Sequence, residues 1–242
     1  MIPLRDANPT RRPPVITLAL IIACTAVFAY ELGVQATGGE EGLSRFFLEH
    51  GVVPAQLAGA LRAGDVASDP MLGVLTHMFL HGGWLHLFGN MLYLWIFGNN
   101  VEDRLGRLGF LGFYLLGGIV AAALQVVVDP GSELPMVGAS GAIAATLGAY
   151  LVLYPGARIL SLVFLGFFYQ LIEVRALIVL GFWFVLQLID GVASLGADTA
   201  AEGGVAFFAH IGGFVAGILI GLLVRGRRRS PPAQLTDPAA VG

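Results

Sequence analysis

Two short motifs hold the residues with the most chemical potential in this chain. Ser140 stands in Gly138-Ala139-Ser140-Gly141 and His210 in Ala209-His210-Ile211-Gly212-Gly213, about seventy residues apart, each inside a strongly apolar stretch. Hydrocarbon offers no water to satisfy an ionisable side chain, so one kept at membrane depth marks a functional site by default. A serine hydroxyl is a weak nucleophile until a neighbouring imidazole takes its proton. The pair therefore suggests a nucleophile, Ser140, and its base, His210.

Attack on a carbonyl also develops negative charge on oxygen, which preorganised donors must stabilise. His86 and Asn90 are four residues apart, share one helix face and can both donate a hydrogen bond. With the backbone N–H of Ser140, in the first turn of its helix where amides lack partners and the dipole end is positive, they are the expected oxyanion stabilisers. No carboxylate lies at this depth to orient His210: Asp190 and Glu202 fall at helix ends, Asp129 and Glu133 in a loop. A Ser/His dyad is expected, its ring oriented by helix packing, because burying a further charge is costly.

The elements that must position these residues follow from composition. With 57% hydrophobic and 12% charged residues in 242, the chain is far from the roughly 25% charged of soluble domains and reads as a polytopic membrane protein. Its single cysteine, Cys24, excludes an intramolecular disulfide framework and a thiolate-rich metal site. Six apolar runs approach the roughly twenty residues that cross a bilayer, near 14–32, 83–101, 108–128, 137–154, 174–191 and 204–224. A further stretch, Ile159 to Ile172, is fourteen residues long and suits an interfacial or re-entrant piece.

The thirteen cations are all arginines, and with both termini inside only Arg45 and Arg62 fall outside. The outer loops carry the acids instead, among them Glu40, Glu41, Asp65 and Asp69. This is a strong positive-inside bias. Spans two, four and six then run from outside to inside, placing His86, Asn90, Ser140 and His210 early in their spans. At 1.5 Å rise per residue they lie about 5–12 Å below the outer boundary.

Small residues could bring the parts together. Span four reads Gly138, Ser140, Gly141, Ala144, Ala145, Gly148, and span six reads Gly212, Gly213, Gly217, Gly221. Such spacing lets backbones approach closely in lipid, and a tight contact between spans four and six would bring Ser140 within hydrogen-bond reach of His210. Other readings exist for each motif. Gly-Ala-Ser-Gly alone also occurs as helix-packing sequence. His77, His81 and His86 could be read as metal ligands, but no acid lies in the cluster, and His77 and His81 fit better as caps at the entrance to span two. Glu102-Asp103-Arg104 reads as a helix terminus with a local ion pair.

The series His77-x-x-x-His81-x-x-x-x-His86-x-x-x-Asn90, Glu102-x-Arg104, Gly138-x-Ser140-Gly141 and Ala209-His210-x-Gly212-Gly213-x-x-x-Gly217 closely resembles the motif blocks of the rhomboid intramembrane serine proteases, in order and on the expected spans. The resemblance covers about residues 14–225, between an N-terminal tail, 1–13, and a C-terminal tail, 226–242, expected to be cytoplasmic, the latter disordered. It implies a six-span all-α bundle in which residues 31–82 form the first outer loop and the entry to span two. That loop would half-embed beside the outer leaflet, and span five would form a lateral gate. Ser140 corresponds to the nucleophile, His210 to the general base, and His86 with Asn90 to the oxyanion stabilisers. The family cleaves transmembrane segments of other proteins near the membrane surface. The implied partners are thus the bilayer and single-span or polytopic membrane-protein substrates, without cofactor, metal or nucleic acid. The tails look bacterial, which favours the plasma membrane with the active site opening outward.

The chain departs from the family pattern twice: Leu72-Gly73 replaces the Trp-Arg found in many members, and Ala144 stands where some place an aromatic to stack on the histidine. A non-catalytic, client-binding relative is the alternative; such proteins characteristically lack the serine or the histidine. A transporter would show repeat symmetry and charges spread through the bundle, which this sequence does not.

Overall fold

A computed structural model describes residues 1–165, 168–194 and 206–226. The chain is a polytopic all-α membrane protein. Four helices are long and apolar enough to cross a bilayer: α1 (Val15–His50), α6 (Arg107–Val128), α8 (Ala176–Ser194) and α9 (Phe207–Arg225). Between α1 and α6 come α2 (Pro54–Ala63), α3 (Asp69–Thr76), a 3-10 turn at His77–Phe79, and a continuous helical rod made of α4 (Trp84–Tyr93), a π turn at Leu94–Gly98 and α5 (Asn99–Leu105). Bulky apolar residues such as Leu18, Leu108, Leu177 and Leu223 point outward. That belt is stable only against lipid, since soluble monomers rarely expose contiguous apolar patches of this kind.

The central helix is α7 (Ser140–Leu153), whose residues Gly141 to Tyr150 are all buried. At 1.5 Å per residue its 14 residues reach about 21 Å, short of a hydrocarbon core of about 30 Å. Because protein surrounds it on all sides, α7 need not match the bilayer, and its N-terminus lies at the floor of a cleft.

Span one runs further than its apolar stretch. Gly39, with φ of 65° and ψ of −165°, breaks α1 so that its last residues fold into a separate helical piece. That backbone region is open to glycine and strained for other residues. The first loop is thus built from this piece with α2 and α3. The Ile159 to Ile172 stretch forms an antiparallel hairpin of β2 (Arg158–Leu165) and β3 (Phe168–Arg175). The N-terminal strand β1 (Ile2–Asp6) pairs antiparallel with β2 to give the order β1-β2-β3. The stretch does not cross, as its length implied, but satisfies its backbone by strand pairing. Residues 195–205, with Asp198 and Glu202, and residues 227–242 lie outside the described residues.

The Glu102 and Arg104 motif does not form the local ion pair that its spacing suggested. Glu102 is buried and accepts hydrogen bonds from the Ile16 and Thr17 amides at 2.9 and 2.8 Å and from the Thr17 hydroxyl at 2.8 Å. Arg104 donates to the Val224 and Arg225 carbonyls at 3.3 and 3.0 Å. The acid thus caps the N-terminus of α1 and the arginine the C-terminus of α9, each with the sign its helix dipole favours.

Candidate active site

The α7–α9 contact sets the geometry. A Cβ on Gly213 would collide with the carbonyl of Gly141, one on Gly217 with that of Ala145, and one on Gly148 with that of Phe214. These helices meet backbone to backbone, as small residues permit in lipid. The contact aligns the N-terminal ends of α7 and α9. Ser140 is the first residue of α7 and His210 lies in the first turn of α9. Their Oγ and Nε2 atoms stand 2.7 Å apart.

Both lie in a cleft of about 790 Å³ that is also lined by His86, Asn90, Tyr93 and Trp183. The Nδ1 of His86 accepts a hydrogen bond from the Gly82 amide at 3.3 Å, so in the neutral ring the proton sits on Nε2. That nitrogen faces Gly138: a Cβ there would stand 2.7 Å from it and 3.5 Å from Ser140 Oγ. Gly138 has φ of 128°, a conformation that side chains rarely adopt. The glycine therefore shapes the turn into α7 and lets the imidazole approach the serine. Asn90 is buried, and its Nδ2 has no hydrogen-bond partner among the described residues. A buried unpaired donor is costly, and Asn90 lines the same cleft as Ser140. The Ser140 amide, at the head of α7, has no intrahelical acceptor.

His77 also lines this cleft. The buried His77 directs Nδ1 at the Gly73 carbonyl at 3.1 Å, and its own carbonyl accepts from the Gly138 amide at 2.9 Å. His81 packs edge-on to His86 with ring centroids 5.2 Å apart, and its amide donates to the buried Glu31 carboxylate at 3.1 Å. Both tie the entrance of span two to its neighbours. Gly141 packs against Ala121 of α6. No group of three or more metal-ligating side chains occurs among the described residues.

Residues 69–227 match the family model described as "Rhomboid domain". The chain belongs to the rhomboid family. Among its relatives, "Rhomboid protease GluP" of Bacillus subtilis (strain 168) is 34% identical over 186 residues, 76% of this chain and 33% of that protein. "Rhomboid protein 1, mitochondrial" of Saccharomyces cerevisiae is 30% identical over 155 residues, 62% of this chain and 41% of that one. "RHOMBOID-like protein 5" of Arabidopsis thaliana is 33% identical over 93 residues, 38% of this chain and 30% of that one. The chain thus spans between three tenths and about two fifths of the length of these relatives.

Against the rhomboid pattern, both departures have structural substitutes. Where many members carry Trp-Arg, Gly73 packs directly on the Gly51 carbonyl, and the Thr76 hydroxyl donates to the His50 carbonyl at 2.5 Å. Val52 then bridges to Met136, just before the serine turn. Backbone contact at a glycine holds the first loop without a guanidinium. Where some members place an aromatic one turn after the serine, the buried Ala144 leaves room for the α7–α9 contact, and an aromatic comes from α8: the Trp183 ring lies 5.9 Å from that of His210. One turn on, Gln187 Oε1 stands 2.6 Å from His210 Nδ1. The expectation that packing alone orients the ring overlooked this amide. Its signal was present as a lone Gln within an apolar span, four residues after a Trp.

Proposed function

We propose that this rhomboid is an intramembrane serine endopeptidase that cuts transmembrane segments of other membrane proteins with a Ser140/His210 dyad. The observation that carries the reading is the 2.7 Å approach of His210 Nε2 to Ser140 Oγ at the floor of an open cleft. His210 takes the hydroxyl proton as Ser140 attacks the scissile carbonyl. The resulting oxyanion is met by His86 Nε2–H, Asn90 Nδ2 and the Ser140 amide, donors oriented before substrate arrives. His210 then returns the proton to the leaving amine, and water resolves the acyl-enzyme by the same steps.

The substrate is a helix that must unwind locally to offer a carbonyl, so segments weakened by Gly or Pro are favoured. The arginine distribution supports cytoplasmic termini and a cleft opening outward, and the composition supports a bacterial plasma membrane. The test is labelling of the detergent-purified chain by a fluorophosphonate, which requires no knowledge of substrate. Wild-type labelling lost in both Ser140→Ala and His210→Ala is expected. Absence of labelling in a folded wild type would overturn the reading in favour of client binding without cleavage.

A further inference from the structure

The two nitrogens of His210 face two different helices. Nε2 meets Ser140 Oγ on α7 at 2.7 Å, while Nδ1 meets Gln187 Oε1 on α8 at 2.6 Å. A neutral imidazole carries one proton, and an amide oxygen can only accept a hydrogen bond. Nδ1–H therefore donates to Gln187, and the lone pair of Nε2 is left facing the serine hydroxyl. This is the tautomer a general base requires, since the reverse arrangement would aim an N–H at the nucleophile. Trp183, one turn earlier on α8, lies tilted against the same ring at 5.9 Å.

From this geometry we infer that Gln187 is a positioning residue that holds His210 as the Nδ1–H tautomer, so that Ser140 is activated only while α8 is docked on α9. The inference rests on the hydrolase reading above. A carboxylate in this place would have to be buried as a charge at membrane depth, whereas an amide supplies the acceptor oxygen at lower cost. The dependence on docking follows from how α8 is held. Its face carrying Leu177, Ile178, Phe182 and Ile189 is exposed to lipid, and it meets α9 through Trp183, Gln187 and the stacked pair Phe184–Phe214 at 4.5 Å. A substrate entering beside α8 and displacing it would release the imidazole. Proteolysis would then require α8 to redock around the substrate.

The test reads the tautomer directly and activity separately. The protein is labelled with 15N-histidine and studied in lipid bilayers, with His210→Asn identifying the His210 signals. Wild type is expected to show a protonated Nδ1 and a bare Nε2. Gln187→Leu, and Phe184→Ala, which loosens α8 without touching the dyad, are expected to show mixed tautomers. Fluorophosphonate labelling should slow on the order of ten- to a hundredfold in Gln187→Leu, part of the roughly hundred- to ten-thousandfold that general base catalysis supplies in full. Gln187→Glu, which keeps an acceptor oxygen, should restore most of the rate.

Wild-type labelling with an unchanged tautomer and rate in folded Gln187→Leu would overturn the inference and leave the hydrolase reading standing. An unchanged tautomer in Phe184→Ala would overturn the dependence on docking. Should Gln187→Leu fail to fold, a slowed Gln187→Glu with the Nε2–H tautomer would equally overturn it. A wild type that never labels removes the hydrolase reading, and the spectra still decide whether Gln187 sets the ring.

Discussion

Glu102 holds the amide and the hydroxyl of Thr17 at 2.8 Å each, across 85 residues of sequence. It fastens the start of span one to the C-terminal end of span two. Glu102→Ala leaves these buried donors and the Thr17 hydroxyl unpaired, and should cost about 2–3 kcal/mol, the scale of charge-assisted hydrogen bonds. Glu102→Gln, which keeps an acceptor, should cost less. Unfolding in mixed micelles with increasing dodecyl sulfate measures both, and an Ala variant as stable as wild type would refute the capping role.

Gly217 rests on the Ala145 carbonyl at the closest part of the α7–α9 seam. Gly217→Val would push the helices apart and move His210 away from Ser140 though neither is altered. Loss of fluorophosphonate labelling together with a lower unfolding midpoint is expected. Gly181→Ala, with open space around its α-carbon, serves as the control that changes neither.

The two proposed oxyanion donors differ in what else they do. Asn90 Nδ2 has no other partner among the described residues, so Asn90→Ala should slow turnover by about ten- to a thousandfold, as loss of such a donor does, with little loss of stability. His86 also packs on His81 and accepts from Gly82. His86→Ala should lower both rate and stability. Rate measurements beside thermal unfolding separate the two cases.

The N-terminal strand carries a pH-sensitive attachment. Burial raises the Asp6 carboxyl above its ordinary value, partly offset by hydrogen bonds from Tyr150 at 3.0 Å and Asn100 at 2.5 Å. The folded state therefore binds more protons than the unfolded one between the unfolded value and the raised one. Stability contributed at low pH is lost as pH rises through that window. Amide exchange of residues 2–6 should accelerate across it, and Asp6→Asn should abolish the dependence.

What the sequence alone determined is what one-dimensional chemistry records. Apolar runs near bilayer length revealed the membrane spans. Glycine and alanine at four-residue spacing marked α7 and α9 as helices able to meet closely, and a serine and a histidine in apolar surroundings stood out because lipid makes such residues costly. The Ile159 to Ile172 stretch could not be resolved the same way: it is apolar on both faces, a pattern that periodicity does not assign to helix or strand, and only the pairing of β2 with β3 and β1 made it a sheet. The short contacts belonged to the tertiary structure. Glu102 and Arg104, two residues apart in sequence, are drawn apart to the ends of α1 and α9 because unpaired helix termini compete for them. The 2.7 Å between Ser140 and His210, and the amide of Gln187 behind that ring, depend on where three helices cross. Helix crossing is set by the summed packing of many side chains, and no single residue encodes it.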